Sequence, residues 1–165
     1  MSIRPLQADD EGRVRQWLAT YLADHQRWWA QAYGRAPSAD LTELVERDWH
    51  ELEQASRSDR HLVAVLELEG SDGQGQAAGI VRAGQRADRF QGFVIGVLQW
   101  IYVAPEGRGQ GLADTLMAHA LAWMDAQNVS GREVFVTALN PAAVALYRRY
   151  GFEVADYRML ARARP

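Results

Sequence analysis

The chain has 165 residues, enough for one domain with a sizeable core and too few for two domains of ordinary size. Its net charge of -3 and pI of about 5.8 exclude a global basic field for nucleic acid, and the absence of cysteine excludes disulfides, a thiolate nucleophile and a Cys-ligated zinc site. The N-terminus lacks the apolar run of a signal peptide and no stretch approaches the ~20 apolar residues of a membrane span, so a cytoplasmic protein without membrane contacts is expected.

In chain order, Ser2 to Gln7 alternates as a short strand, with Pro5 favouring a sheet edge. Asp9 and Asp10 open a helix whose apolar positions Val14, Trp17, Leu18, Tyr21 and Leu22 recur at helical spacing and run on to Gly34. Ser38 or Asp40 caps a second helix carrying Leu41, Leu44, Val45, Trp49 and Leu52. The period then changes: His61 to Glu69, Gln76 to Arg86 and Gln91 to Val103 read as three strands of an antiparallel meander, with a turn over 70–75. Leu112 to Gln127 is an amphipathic helix and Glu133 to Leu139 a strand. Pro141 to Tyr150 is a short helix capped by Asn140 and stopped by Gly151, and Phe152 to Leu160 is a final strand. The expected order is β-α-α-β-β-β-α-β-α-β, a single α/β domain over 1–165.

The most informative segment is Val103-Ala104-Pro105-Glu106-Gly107-Arg108-Gly109-Gln110-Gly111-Leu112-Ala113, where a strand ends and a helix begins. Unsatisfied N–H groups and the positive end of the helix dipole make such a junction an anion site, and small residues let a phosphate approach them. Arg108 adds a guanidinium. Gly111-Leu112-Ala113 stands where a Walker loop would need Gly-Lys-Ser or Gly-Lys-Thr. Asp114 stands where a dinucleotide fingerprint needs a small residue, and the next strand ends in Leu139-Asn140 instead of an acid. By itself the segment also fits a plain Gly-rich turn.

Two motifs together decide between these readings. Arg108-Gly109-Gln110-Gly111-Leu112-Ala113, preceded by Ile101-Tyr102-Val103, and Asn140, Ala143, Leu146-Tyr147, Gly151-Phe152 resemble the signatures of the GCN5-related N-acetyltransferase (GNAT) superfamily. The likeness covers roughly residues 93–160; earlier residues match only in the order of elements. It implies a central mixed β-sheet with two splayed strands flanked by helices, and acetyl-CoA or another acyl-CoA as cofactor. By the resemblance, the backbone of Ile101 and Val103 contacts the acyl carbonyl and pantetheine. The amides of Arg108, Gly109, Gln110, Gly111, Leu112 and Ala113 hold the pyrophosphate, and Asn140 and Ala143 lie on the pantetheine side.

The implied reaction is direct transfer of the acyl group to a small-molecule or peptide amine in a ternary complex. No cysteine exists to carry an acyl-enzyme thioester. The phenol of Tyr147 would serve the leaving sulfur, and backbone amides at a bulge over Ile101–Val103 would serve the oxyanion. Asn140 is equally a plain helix cap, and Tyr147 equally a core residue. Many relatives carry a Glu where this chain has Gln99, which cannot take a proton. Glu67, Glu69, His61 and Asp88 are the other candidate bases, and a non-catalytic acyl-CoA-binding module is the alternative reading. Trp28, Trp29, Tyr33, Trp49, Arg86, Arg89 and Phe90, with Glu43, Glu46 and Asp48, are candidates for the acceptor side, although tryptophans of this kind are more often core. No metal site is expected, and the aromatic supply suits a homodimer.

Overall fold

The computed structural model describes residues 1–70 and 75–161, so most of the turn expected over 70–75 lies outside the described residues. The elements are β1 (Ser2–Pro5), α1 (Glu11–Tyr33), α2 (Leu41–Ser56), β2 (His61–Glu69), β3 (Gly75–Ala87), β4 (Val94–Val103), α3 (Leu112–Ala126), β5 (Gly131–Val134) and α4 (Pro141–Arg149). They build a mixed sheet in the order β1-β2-β3-β4-β5, antiparallel except for the parallel pair of β4 and β5.

Local chemistry explains the helix ends. Asp40 caps α2 by accepting from the Glu43 N–H at 3.1 Å. Gly34, at φ 67°, ends α1 in the left-handed region, which suits a residue without Cβ. Before α1 a short 3-10 turn, Ala8–Asp10, buries Asp10 at 5% exposure. Arg4 donates to both oxygens of Asp10 at 2.7 and 2.8 Å, and the Gln7 N–H donates to it at 2.8 Å. Burial alone would raise the Asp10 carboxyl, but these three donors hold it below the ordinary carboxylate range.

The sheet divides the core in two. Val14, Trp17, Leu18, Val45, Trp49 and Leu52 of α1 and α2 pack on Val63, Val65, Ile80, Trp100 and Tyr102. Leu112, Leu116, Met117, Ala120 and Met124 of α3, with Leu146 and Tyr147 of α4, cover Leu66, Val81, Ala83 and Leu98 on the other face. Leu98 and Trp100 are two apart yet face opposite layers, which a regular strand forbids. Register supplies the reason: Ala83 pairs with Leu98 and Arg82 with Trp100, leaving Gln99 as an extra residue. The β-bulge therefore sits at Gln99, not over Ile101–Val103, because each apolar neighbour must keep its own core.

Two expected strands differ from the structure. The strand expected over Glu133–Leu139 is β5, earlier and shorter, at Gly131–Val134. Ladder pairing with β4 stops at Leu98 and Val134, and the chain then turns towards Asn140. Phe152–Leu160 forms no strand. Gly151 at φ 79° redirects the chain, Phe152 sets its ring against Tyr147 with centroids 6.1 Å apart, and Arg158 lies over the Trp29 ring at 4.7 Å. Phe152 and Arg158 hold this segment against α4 and α1, while Val154, Tyr157, Met159 and Leu160 stay exposed.

Candidate active site

The end of β4–β5 pairing shapes the site. Beyond Leu98 and Val134 the two strands stop pairing, and among the described residues β4 from Gln99 to Val103 has a strand partner only on the β3 side. At the fork lies a cavity of about 350 Å³ lined by Gly84, Gln85, Arg86, Val97, Leu98, Gln99 and Phe135. Ile101 and Val103 continue along the open edge, facing the α3 layer.

At the far end of that edge, a short 3-10 turn at Pro105–Gly107 leads through Arg108 to α3. Gly109 at φ 76° and Gly111 at φ 77° alternate with ordinary residues, a geometry that turns successive N–H groups to one side. The N–H groups of Gly109, Gln110, Gly111, Leu112 and Ala113 make no hydrogen bond to another described residue. A Cβ on either glycine would meet nothing within 4 Å, so the space over these amides is open. The Arg108 Nε–H donates to the Val103 carbonyl at 3.2 Å, with its guanidinium 5.7 Å from the Tyr102 ring. The chemistry of this donor set fits a diphosphate.

The second motif starts α4, which packs into the α3-side core. Asn140 Oδ1 accepts from the Ala143 N–H at 3.2 Å, which uses that N–H and leaves the Asn140 amide group as a spare donor. Tyr147 lies one face along α4, its ring 8% exposed. Burial first, and then the Tyr21 phenol, push its hydroxyl up to about 12, so it keeps its proton at neutral pH. Tyr21, on α1, comes from the opposite face of the sheet and packs on Trp100 with centroids 5.7 Å apart. In the sequence Tyr21 stands out only as a periodic helix position.

The structure sorts the candidate bases. Arg4 pairs with Glu67 at 2.6 Å. Asp88 accepts from the Phe90 and Gln91 N–H groups at 2.9 and 2.6 Å as a turn cap. Glu69 ends β2 at the opposite end from His61. His61 shares the space above Gly84 with Gln99. The acceptor-side aromatics are dispersed: Trp49 is core, Trp28 packs on His25, and Trp29 packs on Tyr33. Glu46 pairs with Arg15, and Glu133 with Arg86 at 2.7 Å. Among the described residues, no group of three His, Asp or Glu is placed to hold a metal ion, and no helix is long and apolar enough to cross a membrane.

The open amide nest, the forked strands and the Asn–Tyr helix coincide with a family match. The model of the acetyltransferase (GNAT) family covers residues 16–152. The chain belongs to this family. No curated protein sequence matches it. Solved structures similar to this GNAT chain include a Bacillus halodurans protein tetramutant, 16% identical, TM-score 0.76, covering 99% of this chain and 100% of that one. The apo aminoglycoside 6'-N-acetyltransferase AAC(6')-IG of Acinetobacter haemolyticus is 20% identical, TM-score 0.65, with 100% and 99% covered. Aminoglycoside N-acetyltransferase AAC(6')-Iy in complex with CoA is 20% identical, TM-score 0.63, with 99% and 100% covered. At these identities the likeness is one of fold, and it extends through the GNAT domain's N-terminal helices, where the sequence motifs were silent.

Proposed function

We propose that this chain is an acyl-CoA-dependent N-acyltransferase that moves acetyl from acetyl-CoA to an amine by direct attack in a ternary complex. The observation that carries the reading is the fork beyond Leu98 and Val134, with free amides at one end of its open edge and a protonated buried phenol at its side. Acetyl-CoA would supply an activated thioester. The residues do the rest. Amides of Gly109 to Ala113, with Arg108 swung off Val103, neutralise the diphosphate. The backbone of Ile101 and Val103 and the spare Asn140 amide group align the pantetheine arm. The open β4 edge after the Gln99 bulge offers donors to the developing oxyanion, an effect worth roughly 3–4 kcal/mol per well-placed donor. Tyr147 gives its proton to the departing sulfur.

The position of Tyr147 favours this reading over a module that only binds acyl-CoA. Its phenol lies in the same core layer as Ile101 and Val103, and a merely structural tyrosine would be expected to bond its hydroxyl. The acceptor is a small-molecule or peptide amine. A panel of primary amines with acetyl-CoA, read by release of free CoA, tests the function. CoA binding without release for any amine would establish the binding-module reading instead.

A further inference from the structure

The acceptor amine reaches the fork as an ammonium ion and must lose a proton before its lone pair can attack. Gln99 stands at the bulge and has no basicity. Across Gly84 from it stands a titratable side chain, His61. In register, His61 of β2 lies directly across from Gly84 of β3. A Cβ on Gly84 would come within 2.7 Å of His61 Cδ2, 3.1 Å of His61 Nε2 and 3.2 Å of Gln99 Oε1. The imidazole and the amide thus share the space over a residue that has no side chain, and the same glycine lines the cavity at the fork. A glycine inside a long strand weakens it, and close approach of other groups is a physical reason to have one.

We propose that His61 is the proton acceptor for the attacking amine, working across Gly84 through a water held by Gln99 Oε1; this rests on the acyltransferase reading above. Two contacts anchor the imidazole in this orientation. Nδ1 lies 3.3 Å from Ser58 Oγ, and the His61 backbone N–H donates to the Ser58 carbonyl at 3.2 Å. Its far nitrogen, Nε2, is the one turned to the glycine. Burial first, then Arg82 on β3 and Arg60 just before β2, lower its basicity, so it is neutral and able to accept at physiological pH. From α2, Glu51 and Asp48 face Arg82 and moderate that positive field.

The proton count closes. The ammonium gives one proton through the water to His61 Nε2. The freed lone pair forms the C–N bond to the thioester carbonyl carbon, and the C–S bond breaks. Sulfur takes the Tyr147 proton, and the phenolate is restored by the second proton that the new amide nitrogen sheds. One amine becomes one amide, one thioester becomes one thiol, and the imidazolium releases a single proton to solvent.

The test uses His61→Gln, Gln99→Glu and the double variant, with acetyl-CoA binding measured by calorimetry on each. With the best primary amine of the panel, His61→Gln should lower kcat/KM at neutral pH by about 100-fold and abolish the acid limb of its pH profile. Acetyl-CoA affinity should not change. In that background Gln99→Glu supplies a carboxylate at the same water and should recover about tenfold or more of the loss. A purely structural His61 would not be rescued by a change on another strand. An unaltered pH profile in His61→Gln overturns the proposal while leaving the acyltransferase reading intact; a wild-type protein that binds no acetyl-CoA overturns the reading itself. A readout without acceptor is the imidazole titration by NMR: Gln99→Glu should raise the His61 pKa by about one unit or more. An unmoved titration means the two side chains do not share the space over Gly84, and the proposal fails whatever the kinetics.

Discussion

Replacing Tyr147 by Phe removes one oxygen and should lower activity while leaving stability near that of wild type. The ring is 8% exposed and packs with Phe152, and both features survive the change. The hydroxyl makes no hydrogen bond to another described residue, so its removal strands no partner. The hydroxyl oxygen is not among the fully buried unpaired polar atoms, so water can satisfy it and its loss is close to neutral for folding. The Phe variant should accordingly melt within about 2 °C of wild type. Turnover should fall by about 100-fold, the low end for general acid help, because a thiol leaves readily. That is ~2.7 kcal/mol of transition-state stabilisation. The loss belongs in kcat, since the bond to sulfur strengthens only as charge develops. The assay is CoA release with a slow amine at saturating acetyl-CoA, beside a thermal melt. Burial pushes the phenol up to about 12, so wild-type activity should show no alkaline decline from Tyr147 below pH 10 or so. Full turnover in Tyr147→Phe would make a water the acid and Tyr147 a packing residue. A lower Tm would mean that the hydroxyl has a structural partner.

The loop, the cap and the N-terminal ion pair each give a further prediction. Gly111→Val should weaken CoA binding in calorimetry, and φ 77° adds a cost of about 1–2 kcal/mol to folding; Gly111→Asn, which tolerates that region, separates the two effects. If Gly111→Val binds CoA like wild type, the diphosphate does not sit there. Asn140→Asp keeps the oxygen that accepts from Ala143 and deletes the spare donor, so the melt should be preserved while CoA affinity drops about fivefold or more; Asn140→Ala should also lose roughly 1 kcal/mol of stability. Equal CoA affinity in wild type and Asn140→Asp would leave Asn140 as a cap only. Asp10, lowered in the folded state, contributes stability that is fully present above its unfolded pKa and disappears as pH falls through its folded value. Asp10→Asn should therefore cost about 2–4 kcal/mol in urea unfolding at pH 7 and show a smaller loss of stability on acidification than wild type; parallel pH dependences would show that the pair with Arg4 is not the acid-sensitive element.

Composition, periodicity and spacing carried much of this protein. The helices from Glu11 and Leu41 are legible because their apolar positions repeat at 3.6 and their ends bear Asp40 and Gly34, all local chemistry. The diphosphate loop is legible for the same reason: Gly109 and Gly111 are needed where φ is positive, and no distant residue makes them so. The final segment reads as a strand and is none: Val154, Tyr157, Met159 and Leu160 are exposed, only Phe152 and Arg158 are held against helices, and alternation does not say whether a ladder partner exists. Gln99 shows the limit most plainly. Read along the chain, Leu98 to Trp100 is an ordinary stretch of strand, and nothing in it announces an extra residue. Only the two cores, one demanding Leu98 and the other Trp100, force the bulge. The same holds for His61, Gly84 and Gln99, which sit on three strands and meet because register aligns them. Local dihedral preference and periodicity are properties of neighbours in sequence, so a sequence displays them; register, bulge and fork depend on what each strand must bury, and that is decided between elements far apart in the chain.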